Sequence, residues 1–549
     1  MKKNFNHFTI NSESRILSAL VIVALVTGLL MFQWMNWPVR AHAAGPQLEE
    51  PVRGRIIEGV ACRDKPDQSY ALYLPTGYAV TKAWPLIAAF DPAARGSLPL
   101  ERFKEAAERY GFIVCGSNNS RNGPWAPTAE AAEAMLNDVT ARFPIDDKRI
   151  YLTGFSGGAR VATRMAILFA GRVAGVIGCG AGFPTGIAPP ASLTFSYFGA
   201  IGNEDFNYPE MKQLDRDLAA GAAQHRIQTF DGGHAWPPSE LCVRAVGWLE
   251  IQAMKSGRRP RAEDLVDHLF AQARADATQA ETAGRVYDAW LSYRWIVSDF
   301  KGLRDVSEFE KKAGTLREAK PVQDQAREDR RQEDEQRRRF AELFGMRSQL
   351  RDPATVAALR LIDPGAPADG GRPGGVPPGG GAMDERADRQ IAFADLKSKL
   401  SELRRRADAG ENTPARAVAR RILGQYMALI FEPIQSLLRA GKYDAAIADL
   451  SIDAALLPDN WAIQYNLCRA YAMKGDRKRA LQSLDKAIQK GFSNPAELER
   501  NRELDPLRDD PEFKRLLRSL PSLPSRSSLS SLPSLAGGLD RLGGLNGLD

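Results

Sequence analysis

The sequence predicts an α/β fold, a doubly wound sheet, in its first half and an all-α region in its second. Three observations carry this expectation. Short apolar runs of strand type, such as Phe112-Ile113-Val114-Cys115 and Ser196-Tyr197-Phe198-Gly199-Ala200-Ile201, stand before residue 260. One of them, Arg149-Ile150-Tyr151-Leu152-Thr153, passes through Gly154-Phe155-Ser156-Gly157-Gly158 into Ala159–Ala166, which reads only as a helix. Beyond residue 260 the periodicity is helical and strand signals are few. At 549 residues the chain is too long for one core, and about two to four domains are expected.

Taken in order, residues 1–44 read as a signal peptide or a membrane anchor. Met1-Lys2-Lys3 and Arg15 precede an uncharged run, residues 16–32, and Ala41-His42-Ala43 suits signal-peptidase cleavage. The apolar run is nearly long enough to span a bilayer, so anchoring through residues 16–32 stays open. Either outcome places the rest outside the cytoplasm, periplasmic or secreted, or held at the inner membrane. The net charge of +7 is mild for this length, and no stretch joins clustered basic residues to aromatics, so no nucleic-acid partner is expected. Cys62, Cys115, Cys179, Cys242 and Cys468 lack the paired spacing of a zinc site, so no metal is expected. An oxidising compartment permits a disulfide such as Cys62–Cys115; buried free thiols are the alternative.

The Gly154–Gly158 stretch offers the first chemistry. Strand, G-x-S-x-G, helix is the context of a nucleophile elbow, in which a strained turn pushes the serine Oγ into a cleft. The next backbone N–H, that of Gly157, is aimed at a developing oxyanion, with a helix N-terminus behind it. Ser156 needs a base. Five histidines are present. His7 and His42 fall in the leader, His268 in an amphipathic helical pattern, and His225 beside an apparent strand, Ile227–Phe230. His234, on the Gly232-Gly233 loop after that strand, remains as the base. The acid is expected after the strand ending at Ile201, within Gly202-Asn203-Glu204-Asp205. Asp205 is the choice, because a short carboxylate best fixes one imidazole tautomer. Glu204 is the fallback, and Asp231 is too near His234 in sequence.

With the order Ser156, Asp205, His234 in hand, residues 52–258 resemble an α/β-hydrolase of the esterase or polyhydroxyalkanoate-depolymerase-like type. The matching stretches are Tyr70–Pro75, Trp84–Pro92, Gly154–Gly158, Gly202–Asp205 and Gly233-His234-Ala235-Trp236-Pro237. The resemblance implies a Ser-Asp-His triad, an acyl-enzyme intermediate and no cofactor. It also implies an ester substrate: a small ester, a carbohydrate ester or a polyester fragment. Where the family usually has His-Gly beside the oxyanion hole, this chain has Asp91-Pro92-Ala93-Ala94-Arg95. Pro92 has no N–H to donate, so the second donor is expected at Ala93. Asp91 would repel an oxyanion unless Arg95 neutralises it. Asn119 and Trp125, in the loop after the Cys115 strand, and Trp236, beside the base, are expected to line the substrate pocket; solvated turns and core packing are the alternatives.

Residues 262–352 are expected to be helical, with TPR-like character open. The Tyr287–Trp295 aromatic stripe reads as helix-pair core, and the mixed charges of Arg327–Arg339 as a solvated helix laced by i,i+4 pairs. Residues 363–387 read as a Pro/Gly-rich linker, 388–518 as a second helical domain and 519–549 as a disordered tail. Gly441–Ile447 and, about one 34-residue period on, Leu467, Tyr471, Gly475, Ala480, Leu484 and Ala487 resemble tetratricopeptide (TPR) repeats. Pro433 is expected to interrupt the first of these helices. The TPR resemblance implies a protein partner. Two functions follow: an exported, carboxylesterase-like serine hydrolase, or a weak or inactive hydrolase-fold scaffold whose helices grip that partner.

Overall fold

A computed structural model describes residues 52–350 and 381–521, apart from Ala191 and Ala222. The leader, residues 363–380 of the linker and residues 522–549 of the tail lie outside the described residues. Among the described residues no helix is long and apolar enough to cross a membrane.

Eight strands form one sheet: β1 (Ile56–Ala61), β2 (Ser69–Tyr73), β3 (Trp84–Phe90), β4 (Ile113–Ser117), β5 (Ile145–Phe155), β6 (Val173–Cys179), β7 (Ser196–Gly202) and β8 (His225–Phe230). Their spatial order is β1-β2-β4-β3-β5-β6-β7-β8. β2 runs antiparallel to both β1 and β4, and every pairing from β4 to β8 is parallel. This is the doubly wound α/β sheet the sequence predicts. Helices α1 (Ser97–Tyr110), α2 (Trp125–Arg142), α3 (Gly157–Leu168), α4 (Tyr208–Ala220) and α5 (Ser239–Lys255) connect the strands or close the domain.

Tyr73, Ile87, Val114, Tyr151, Ile177 and Phe198 share one core with α1 and α5. The alternate strand residues Leu86, Ala88, Leu152 and Val176 are equally buried, so by the period of two the opposite face is covered as well. Burial on both faces explains why these strands read as continuous apolar runs. Pro85 sits inside β3, a central strand, where it cannot donate to a ladder. The register accordingly shifts between Trp84 and Leu86.

The second half is all α: α6 (Glu263–Thr282), α7 (Val286–Phe300), α8 (Ser307–Arg317), α9 (Lys320–Gln349), α10 (Gly381–Ala407), α11 (Pro414–Arg439), α12 (Tyr443–Leu456), α13 (Trp461–Lys474), α14 (Arg477–Gln489), α15 (Pro495–Arg500) and α16 (Pro511–Ser519). Three expectations need correction. α10 begins at Gly381, inside the stretch read as linker. Pro433 does not interrupt its helix, because α11 runs through it to Arg439. The Arg327–Arg339 run is not solvated all round: Gln332, Glu333 and Gln336 are buried. Its exposed side is laced mainly at i,i+3, as in Arg327–Asp324, Arg331–Glu328 and Arg337–Asp334.

Gly441 (φ 69°) and Gly475 (φ 87°) make left-handed turns 34 residues apart, and each joins two helices of a hairpin. A buried ion pair ties this region together. Arg347 on α9 donates to both oxygens of Asp453 on α12 at 3.0 and 2.6 Å, and Tyr426 Oη on α11 lies 3.3 Å from the same carboxylate. The helical region also docks on the sheet domain without a break. Trp248 Nε1 on α5 donates to Asp299 Oδ1 on α7 at 2.8 Å, and Arg226 on β8 bonds Asp299 while lying 4.2 Å over the Trp295 ring.

All five cysteines are buried and free, so the permitted Cys62–Cys115 disulfide is absent. Burial pushes the Cys62 thiol up to about 11 and those of Cys179 and Cys468 up to about 12, which keeps them protonated and unreactive near neutrality. An aromatic disulfide reagent is therefore expected to leave the native protein unmodified and to titrate five thiols after denaturation. Asp453→Ala, by leaving Arg347 charged and unpaired, is expected to cost about 3–5 kcal/mol, read from a urea unfolding curve.

Candidate active site

The serine stands where β5 meets α3. Ser156 adopts φ 52°, ψ −120°, a left-handed conformation for a residue with a side chain, and such strain concentrates at functional sites. Its N–H is anchored to Cys179 O at 2.8 Å, which ties the turn to the end of β6. Close approach to backbone requires glycine at Gly154 and Gly158, whereas at Gly157 the movable end of a side chain stands in the way. A Cβ on Gly158 would lie 2.0 Å from Phe90 O, and one on Gly157 would lie 1.8 Å from Asn122 Oδ1. The elbow is thus packed against the end of β3 on one side and the Asn122 loop on the other. As the first residue of α3, Gly157 carries an N–H with no intrahelical acceptor.

His234 and Asp205 are together. The imidazole Nδ1 lies 2.9 Å from both Asp205 oxygens, which fixes the tautomer with Nδ1 as donor. Asp205 is fully buried and also accepts the Asn207 N–H at 2.8 Å. The ring is held between two phenylalanines, with centroids 4.5 Å from Phe155 and 4.2 Å from Phe206. Phe155 directly precedes Ser156, so the His234 ring packs on the residue next to the serine. Nε2 of His234 is buried and makes no hydrogen bond; it does not bond Ser156 Oγ in this conformation. Glu204, the fallback acid, faces away and pairs with Arg416 and Arg420 on α11. Asp231 accepts from Asn203 Nδ2 at 2.8 Å.

The Asp91 loop departs from expectation. Ala93 N–H, the expected second oxyanion donor, is turned onto Asp91 Oδ1 at 2.9 Å, and Ala94 N–H onto Asp91 O at 3.0 Å. The Ala93 expectation is therefore corrected: its amide is spent within the loop. The buried Asp91 carboxylate also accepts Arg95 Nε and Nη2 at 2.8 and 3.1 Å and Trp236 Nε1 at 2.9 Å. Arg95 neutralises it, and Trp236 links it to the loop that carries His234.

The three expected pocket residues fare differently. Trp236 is buried and packs on Phe103 and Phe155, so it belongs to the core. Both ends of the Asn119 amide are occupied, Oδ1 by Ser69 N and Nδ2 by Asp67 O, which makes it a brace between β2 and the loop after β4. Trp125 is half-buried under Arg164, whose guanidinium lies 4.0 Å over its ring. Asn122 belongs to the same loop, whose amides the sequence offers as substrate contacts without singling this one out. It is exposed, its N–H donates to Pro92 O at 2.8 Å, and its amide lies against Gly157. No sequence pattern distinguishes it from Asn118 and Asn119; only the turn selects it. Among the described residues no group of three or more His, Cys, Asp or Glu side chains is placed to hold a metal ion.

No protein-family model and no curated protein matches the chain. Solved structures do. An S-formylglutathione hydrolase from Staphylococcus aureus is 13% identical over 36% of this chain and 98% of its own, with a TM-score of 0.30. A ferulic acid esterase is 14% identical over 36% of this chain and 97% of its own, at a TM-score of 0.30. An esterase from Pyrobaculum calidifontis is 13% identical over 37% of this chain and 87% of its own, at 0.31.

Asp91→Asn replaces an acceptor-only group with one that must turn an N–H toward a donor. It is expected to lower stability by about 1–3 kcal/mol in thermal or urea unfolding, with loss of the Trp236 near-UV signal at the transition.

Proposed function

We propose that this protein is a serine hydrolase acting on carboxylic esters. The observation that carries the reading is the buried Asp205–His234 pair beside a serine held in a strained left-handed turn at a helix N-terminus. In this reading His234 Nε2, its lone pair unengaged, takes the Ser156 Oγ proton as that oxygen attacks the ester carbonyl. Asp205 holds the ring and stabilises the imidazolium. The carbonyl oxygen becomes an oxyanion facing the Gly157 N–H, and the exposed Asn122 side chain, turned so that Nδ2 rather than Oδ1 faces the elbow, supplies the second donor in place of Ala93. Collapse of the tetrahedral adduct breaks the ester C–O bond, and the imidazolium proton leaves on the alcohol. Water, deprotonated by the same base, then releases the acid and restores Ser156.

Oγ and Nε2 are not bonded to each other in the resting protein, and such bonds are commonly loose before substrate binds. Small, carbohydrate and polyester esters all remain substrates under this reading. Export to the periplasm or beyond, anchoring through residues 16–32 and capture of a protein partner by the TPR-like hairpins are proposed on sequence grounds. A second reading, a hydrolase-fold scaffold of weak or no activity, is favoured by the Ala93 amide being occupied.

A fluorophosphonate probe separates the two readings: a serine adduct at Ser156 is expected, and no adduct on folded protein favours the scaffold. Ser156→Ala is expected to lower kcat on a p-nitrophenyl ester by about 10⁶. Asn122→Ala is expected to lower kcat by about 10²–10³ with KM little changed; an unchanged kcat would exclude Asn122 as a donor.

A further inference from the structure

The loop that carries the acid, residues 203–208, is gripped by the helical region. Arg421 Nε on α11 donates to Asn203 O at 2.6 Å, and its guanidinium lies 3.7 Å over the Tyr208 ring. Arg420 Nη1 donates to Glu204 Oε2 at 2.6 Å, with Arg416 on the same carboxylate at 3.5 Å. From α9, Gln336 Nε2 donates to Phe206 O at 2.8 Å. Just beyond the loop, on α4, Lys212 pairs with Asp329 at 3.3 Å and Arg216 with Glu333 at 2.9 Å. Asn203, Glu204, Phe206 and Tyr208 are therefore each held by a residue more than a hundred positions away in sequence. Asp205 and Asn207, between them, are left to face the sheet domain, where Asn207 Nδ2 donates to Gly180 O at 2.8 Å.

The two helices present matched faces. Asp329, Gln332, Glu333 and Gln336 recur at i, i+3, i+4 and i+7 on α9, and Arg416, Arg420, Arg421 and Gly424 lie on one side of α11. Gly424 is the point of closest approach: a Cβ there would meet Phe206 Cδ1 at 3.2 Å. Phe206 thus lies between the α11 backbone and the His234 ring, whose centroid is 4.2 Å from its own. Glycine weakens a helix interior, and here its missing side chain lets the helix back set the depth of the phenylalanine.

We propose that α9 and α11 complete the active site: Arg421, Arg420, Gln336 and Gly424 are positioning residues that fix the acid loop and, through Phe206, the plane of the His234 imidazole. The inference rests on the reading of Asp205 and His234 as acid and base. It gives the helical region a role in the chemistry whether or not it also binds a partner. The sheet domain alone would keep its elbow but lose the outer wall of the loop that orients the base.

The test uses the full chain with histidine labelled in ¹⁵N. The hydrogen-bonded Nδ1 proton of His234 is followed by NMR, beside kcat and KM on a p-nitrophenyl ester. Gly424→Ala raises helix propensity, so it is expected to hold or raise the melting temperature. It is also expected to shift the Nδ1 resonance and lower kcat about fivefold to tenfold at unchanged KM, through misplacement of the base. Arg421→Ala is expected to broaden that resonance and lower kcat further. Lys490→Ala, which breaks an exposed ion pair with Asp459, serves as control and changes neither. If both the Gly424 and Arg421 variants keep the wild-type resonance and kcat, the proposal is overturned. A displaced resonance in a protein whose wild type neither turns over ester nor takes up fluorophosphonate keeps the clamp and removes the hydrolase reading. Turnover with an unmoved resonance does the reverse.

Discussion

The bond between His234 Nδ1 and Asp205 is the contact on which the rest of this molecule converges. It spans 29 residues of sequence, lies wholly inside the protein and joins the loops after two neighbouring parallel strands, β7 and β8. A carboxylate buried this deeply is tolerated only with partners for its oxygens. The imidazole N–H and the Asn207 amide provide them, and both require residues 203–208 to hold one shape. Much of the surrounding structure serves that requirement: the end of β6 through Gly180, the Asn203–Gly232 bridge between the two loops, and the two long helices that close over the outside.

A second polar hub, Asp91, balances the first. The carboxylate gathers the loop after β3, the Arg95 side chain and the indole of Trp236 into one neutral cluster under the base loop. The arrangement trades a loop amide that the resemblance would spend on an oxyanion for rigidity between the first and last loops of the site. The two hubs meet at Phe155, which packs on both the His234 and Trp236 rings. Ser156 follows Phe155 directly, so the strained turn adjoins the same ring that supports His234.

The docking of the helical region follows from ordinary polar chemistry used in an unusual place. Arginine is suited to buried contacts because its planar, weakly hydrated cation bonds oxygen acceptors and stacks on rings at once. Arg421 does both, on Asn203 and Tyr208. Burial pushes its guanidinium below the ordinary range, while Tyr208, Asp329 and Asp205 favour the charged form.

The sheet, the tight turn at Ser156 and the meeting of Asp205 with His234 were legible in the sequence, because each rests on local chemistry: apolar strands buried on both faces, glycines where backbones touch, and a histidine and an aspartate at strand ends. The helical second half was legible from its 3.6-residue period for the same reason. What only the tertiary structure decided is what polar side chains do. The side chains of Asn119 and Asn122 look alike in sequence, and the fold uses one as a brace and sets the other beside the elbow, while Asp91 takes up the backbone amide of Ala93. Likewise the Asp329–Gln336 face and the Arg416–Gly424 face carry charge, which in sequence signals solvent. They are buried or half-buried because each meets a complementary partner far along the chain, and such pairing is a property of three-dimensional proximity that no local pattern encodes.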